Sequence, residues 1–286
     1  MMNSQKHIAA IHDLSGVGRC SLTVALPVIS AAGVECSCLP TALLSTHTGE
    51  FTDYVVHDLS EFMLPIARHW KASGIAFDGI YSGYLASPGQ AEILGEVIST
   101  LAGEKTLVIV DPVMADNGRY YANLDARMCA VFRALAGHAD LITPNVTEAA
   151  LLTGLPYQAA PQGEDYIRAL FDGLFALGAK AVALTGVSPE AGKLGNAAAR
   201  GGEAPVFELR EAREGVFYGT GDLFASALSA LLVLGAELPD ALRAATDLVD
   251  GAVQNTIRRG TPRRFGVDFE NALPGFIEKC LQFASL

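Results

Sequence analysis

The sequence is short of the features that mark membrane, nucleic-acid-binding or disulfide-stapled proteins. Lys and Arg number only 20 among 286 residues, against 31 Asp and Glu, and the net charge is −11. There is no basic stripe, which argues against nucleic acid as a main partner. No apolar run reaches the ~20 residues that span a bilayer, although half the residues are hydrophobic and mean hydropathy is +0.31. The opening MMNSQKHIAAIHD has no basic segment ahead of a long apolar stretch, so no secretory leader is expected, and the expected setting is the cytoplasm. The five cysteines, Cys20, Cys36, Cys38, Cys129 and Cys280, are odd in number and widely scattered, which suits reduced, mostly buried thiols. Neither Cys-x-x-Cys nor His-x-x-x-His occurs, so a zinc-type cluster is not predicted. The phosphate loop G-x-x-x-x-G-K-[ST] is also missing, which excludes one common way of holding a nucleotide.

What is present is an alternation of short β-like runs and longer helical segments. The runs IAAIH (8–12), VECSCL (34–39), FDGIYSGYL (77–85), TLVIVDPVM (106–114), ADLITPN (139–145) and AKAVALTG (179–186) are apolar on both faces. Helical stretches separate them, the first near 19–32. Strands of this kind imply a mostly parallel sheet covered by helices on two sides, the α/β doubly wound class. Residues 188–205 read as loops around a short hairpin continuing into a strand at 206–213, and from 223 onward the chain reads as mainly helical. No linker or internal repeat divides the sequence, so a single domain over 1–286 is expected.

In such sheets ligands bind at the carboxyl ends of the strands, and those ends are polar here. His12 and Asp13 follow the first strand; Asp111 and Asp116 follow the fourth. Thr143, Asn145 and Glu148 follow the fifth, and Thr185 ends the sixth. Asp and Glu are hard oxygen donors of the kind Mg²⁺ uses, one or two at a time, beside water and phosphate. Individually, each acid reads equally well as a strand end or a helix start. STHTG (45–49) forms a polar loop in which His47 reads as a hydrogen-bonding or structural residue, because no spacing makes it a metal ligand. DLSGVGR (13–19) has Ser21 where a dinucleotide fingerprint has its third glycine. It reads instead as a tight turn admitting a small ligand beside Asp13. The most distinctive stretch is YGTGDLFASALSALLVLG (218–235), in which Asp222 stands behind two glycines at the mouth of an apolar helix. Backbone N–H groups at Gly219, Thr220 and Gly221 could converge there on an anion. Alone, Asp222 reads more readily as a helix cap.

Taken together, STHTGEF, YSGYL, DPVMADNGRYY, TPNVTEAALLTG and YGTGDLF, in this order and across essentially the whole chain, resemble the ribokinase-like superfamily of ATP-dependent small-molecule kinases. Within it the sequence is similar to the vitamin B6 kinases, and next to the hydroxymethylpyrimidine kinases. The resemblance implies phosphorylation of a hydroxymethyl group on an aromatic heterocycle, by a homodimer that uses ATP, Mg²⁺ and a possible monovalent cation. It makes Asp222 the general base and Gly219, Thr220 and Gly221 the anion hole. It places Asp111, Asp116 and Glu148 around Mg²⁺, and Asn145, Thr185, Thr220 and Gly221 at the nucleotide. Asp13, Ser15, Thr48 and Tyr84 would hold the acceptor. The sequence departs from the B6 kinases at Asp13, where a serine-histidine pair is common, and at Leu43 and Thr46, where glutamine and asparagine are common. These departures leave open a hydroxymethylpyrimidine kinase, and behind it a non-catalytic vitamer- or nucleotide-binding protein.

Overall fold

The structure, a computed structural model, describes residues 5–121 and 124–283. Its first strand, β1 (His7–Ser15), shows why the sheet lies at the centre. Ile8 and Ala10 pack on one side, Ala9 and Ile11 on the other, and all four are fully buried. A strand with no polar face has to be covered by helices on both sides. The chain supplies them in turn. α1 (Leu22–Ala31) leads to β2 (Glu35–Leu44) and the short edge strand β3 (Val56–Asp58). α2 (Ser60–Ala72), β4 (Gly79–Ser82), α3 (Pro88–Leu101) and β5 (Leu107–Val110) come next. A small hairpin, β6 (Ala115–Asp116) and β7 (Arg119–Tyr120), precedes α4 (Ala126–Ala136) and β8 (Leu141–Ile142). Then follow α5 (Val146–Thr153), α6 (Glu164–Ala176), β9 (Ala181–Val187), β10 (Lys193–Arg200) and β11 (Val206–Glu211). Three helices end the described chain: α7 (Thr220–Val233), α8 (Leu238–Arg259) and α9 (Leu273–Cys280).

The main sheet has nine strands in the order β11-β10-β9-β8-β5-β4-β1-β2-β3. The six from β9 to β2 are parallel, and antiparallel strands close both edges. Helices α2 to α6 cover one face; α1, α7, α8 and α9 cover the other. This is the mostly parallel, doubly covered α/β sheet expected from the sequence. From β1 the sheet grows first toward β2 and β3, then resumes on the opposite side with β4. A crevice opens above the strand ends at such a reversal.

Residues 188–205 are, as expected, loops around a hairpin: β10 occupies eight of the eighteen and pairs on both sides, with β11 as its hairpin partner. Its Ala197, Ala198 and Ala199 are buried between neighbours, and Gly195 runs so close to β11 that a Cβ would lie 2.0 Å from the Glu208 carbonyl oxygen. Small residues chosen for close packing carry little β signal in a sequence. The β6–β7 hairpin was not expected, although Asn117-Gly118 turns with φ of 50° and 76°, the signature of a tight hairpin.

Candidate active site

The start of α7 is built around two glycines with different tasks. Gly219 has φ +79°, and a Cβ there would lie 2.0 Å from the carbonyl oxygen of Arg19, so the position demands glycine. At Gly221 a Cβ would meet nothing within 4 Å. Its outer side is open to an approaching group. Beyond this turn the helix is embedded, with 10 of its 14 residues buried. The N–H groups of Thr220 and Gly221 have no acceptor among the described residues, as the first turn of a helix dictates. They stand as free donors at the positive end of a buried helix.

Asp222 is not the cap of this helix. The capping position is Gly219, and the carboxylate instead accepts the N–H of Ser21 at 2.9 Å. Ser21, with φ +50°, is itself the residue that opens α1. Two helix starts therefore meet at one carboxylate. Dense surrounding protein pushes its pKa up to about 7; the Ser21 bond opposes the rise, and the nearby Asp13 adds to it. One edge remains accessible to water.

Asp13, at the end of β1, is buried and accepts the Ser15 hydroxyl at 2.8 Å. Burial raises its pKa, while hydrogen bonds from Ser21 and Ser15 oppose the rise. Ser15 is thus turned toward Asp13. Tyr84, half-buried, lies near enough to Asp13 that the acid helps hold its phenol up at about 12, after burial. Asp13, Asp222 and Tyr84 are brought together at one end of the crevice. Thr48 lies on an exposed loop. His47 holds that loop in place. Its Nε2 bonds the Arg264 carbonyl and its Nδ1 accepts the Gly49 N–H at 3.0 Å, which confirms a hydrogen-bonding role. The imidazole also fills the space above Gly18, where a Cβ would lie 2.4 Å from the ring. The turn at 16–18 therefore makes room for the His47 loop.

The remaining acids lie further along the strand ends. Asp111 is buried, and its pKa is driven well above the usual carboxylate range by burial first, then by Glu148 and Asp222. Glu148 is committed locally. One oxygen accepts the Asn145 N–H at 2.9 Å, the other the N–H groups of Met114 at 3.0 Å and Ala115 at 3.4 Å. Burial still lifts it to about 8. Asn145 completes a capping box with Glu148, and its amide donates to the Ala115 carbonyl at 2.8 Å. Together they fasten the β6–β7 hairpin, which carries the exposed Asp116, to the start of α5. Thr185 sits next to Asn145, its N–H bonded to the Pro144 carbonyl at 2.9 Å. No Lys or Arg is among the groups that shift Asp111, Asp116, Glu148 or Asp222.

Among the described residues no three His, Cys, Asp or Glu side chains form a ready metal cage. Clustered carboxylates without a cationic partner nevertheless fit a hard divalent ion that completes its shell with water and phosphate oxygens. Sequence reasoning missed Ser21, whose contribution is a backbone N–H that no motif records. It also missed Tyr121, a phenol pushed up by burial and by all four of Glu148, Asp116, Asp111 and Asp222.

The chain as a whole is similar to known proteins. Residues 24–265 match the family model described as phosphomethylpyrimidine kinase. The chain belongs to that family. It is 30% identical over 265 residues to a pyridoxine/pyridoxal/pyridoxamine kinase of Bordetella pertussis, covering 88% of this chain and 90% of the relative. The crystal structure of pyridoxal kinase from Lactobacillus plantarum superposes with a TM-score of 0.87 at 33% identity, over 96% of this chain and 98% of that one. A presumed phosphomethylpyrimidine kinase of Bacteroides thetaiotaomicron, crystallised with pyridoxal, gives 0.87 at 36% identity over 96% of each chain. The fold of this family member is therefore ribokinase-like.

Proposed function

We propose that the protein transfers the γ-phosphoryl group of ATP to the hydroxymethyl group of a B6 vitamer. The observation that carries this reading is the Asp222 carboxylate, fixed by the Ser21 N–H beside the open N–H groups of Thr220 and Gly221. A base and an anion-binding helix end within one turn are what phosphoryl transfer to an alcohol requires. Asp222 takes the proton of the acceptor hydroxyl as that oxygen bonds to the γ-phosphorus. The bond from phosphorus to the bridging oxygen breaks, and ADP leaves with that electron pair. The free N–H groups face the charge on the transferring group. A base with a pKa near 7 is matched to work close to neutrality.

Asp13 and Tyr84 would border the heterocycle, with Thr48 from the loop that His47 anchors; Asn145 and Thr185 would lie toward the nucleotide. Asp111 and Asp116 would hold Mg²⁺, with Glu148 orienting its water. The ion would supply charge neutralisation on the phosphates. A homodimer acting in the cytoplasm is part of the same reading. Pyridoxal bound by the 36%-identical Bacteroides protein and the curated B6 kinase relative support a vitamer as acceptor. The family's description favours a second reading, hydroxymethylpyrimidine as acceptor. Measuring ADP release with pyridoxal, pyridoxamine, pyridoxine and hydroxymethylpyrimidine separates them. The highest kcat/KM is expected on a vitamer; a preference for the pyrimidine would reverse the assignment.

A further inference from the structure

Beneath the acids lies a second polar layer. Alternation along β1 puts His12 on the same face as Ile8 and Ala10, toward α7. Its imidazole is fully buried, and neither ring nitrogen has a hydrogen-bond partner. It occupies the room left by Gly83, where a Cβ would lie 2.1 Å from Nδ1. The ring meets Tyr81 of β4 edge-on, with centroids 4.3 Å apart. Tyr81 is fully buried as well, and its Oη has no partner. The same holds for the hydroxyls of Ser226 and Ser229, one and two turns after Asp222 on α7.

Buried polar atoms are almost always hydrogen-bonded. Several of them near one another make the setting in which a protein holds internal water. The Ser226 hydroxyl adjoins the Tyr81 phenol, and the charges of Asp111 and Asp222 both reach it. We propose that Tyr81 is a positioning residue for the transfer step. Its phenol, with His12 and Ser226, holds water beneath Asp222 and fixes the carboxylate in the orientation that the acceptor hydroxyl meets. This rests on the reading of Asp222 as the base.

Asp222 accepts the Ser21 N–H before α1, and the other ionisable groups whose charge couples to it are Asp13 from β1, Cys20 before α1, Tyr81 from β4, Asp111 beyond β5 and Tyr121 beyond β7. None is a cation, so donated hydrogen bonds are what the protein offers the ionised base. Removing the phenol hydroxyl withdraws the group that would hold that water against Asp222 and moves the Asp222 titration to higher pH.

The test compares Tyr81→Phe, Ser226→Ala and the double variant with the wild type in an ADP-release assay with pyridoxal. For Tyr81→Phe, kcat is expected to fall about tenfold, the scale seen when an orienting partner of an active-site group is removed. KM for ATP and pyridoxal should stay within about twofold, the melting temperature should hold, and the acid limb of the kcat profile should move to higher pH. The double variant should be no slower than the slower single. An unchanged kcat and acid limb would overturn the proposal. So would a loss matched by a lower melting temperature or a raised KM, or full additivity of the two substitutions. A wild type without turnover on any vitamer or pyrimidine would instead overturn the kinase reading itself.

Discussion

Replacing Asp222 by Asn separates what the acid does for catalysis from what it costs the fold. Burial raises its pKa from 3.8 to about 7, roughly 3 units, and each unit corresponds to about 1.4 kcal/mol between the protonation states. The upper bound on the cost of ionising it in the free protein is therefore about 4 kcal/mol, and its water-accessible edge reduces this to about 2 kcal/mol. The direction follows from proton binding. Between pH 4 and 7 the folded chain keeps a proton on Asp222 that the unfolded chain has lost, so wild-type stability falls as pH rises through that window and is level above it. Asn does not titrate. The difference in melting temperature, variant minus wild type, should thus grow by about 4 °C from pH 4 to pH 8, since about 2 kcal/mol moves a chain of this size by several degrees. Calorimetry of both proteins without ligands measures it. In parallel, kcat should drop by roughly a hundredfold to ten-thousandfold, as expected when a general base is lost. A temperature difference independent of pH would refute the burial reasoning, and near wild-type turnover would refute the base.

Three further outcomes are expected. Gly219→Ala should lower stability by about 1–3 kcal/mol, because it forces a side chain into φ +79° and against the Arg19 carbonyl; chemical denaturation reads this directly. Gly221→Ala has no such clash and should leave stability level or slightly higher. Its kcat should still fall severalfold on the proposed reading, in which the methyl group would stand where the phosphoryl group approaches. His47→Ala removes the bond to the Arg264 carbonyl and the ring above Gly18. KM for the acceptor should rise severalfold through a loosened 45–50 loop, with KM for ATP little changed.

Much of the architecture could be read from β1, β5 and β9, because strands apolar on both faces have only one stable solution, a sheet between helices. A hairpin was expected around β10, but the extent of β10 was not legible, because its alanines and glycine are chosen for close approach and leave no alternating pattern to detect. The GTGD turn was legible as a turn, but its two glycines looked alike. Only the position of the Arg19 carbonyl shows that Gly219 serves the backbone while Gly221 leaves space.

The sequence by itself determined the class of fold, the order of the strand-end acids and the glycine-led start of α7, because these depend on residue type and local spacing. Tertiary structure decided which carboxylate is held by which N–H. It turned Asp222 from a cap of α7 into the acceptor of the Ser21 N–H just ahead of α1, and committed Glu148 and Asn145 to the β6–β7 hairpin. It also placed His12 over Gly83 against Tyr81. Each of these depends on segments far apart in the chain meeting within hydrogen-bond or van der Waals distance, and spacing along one segment carries no record of what folds against it.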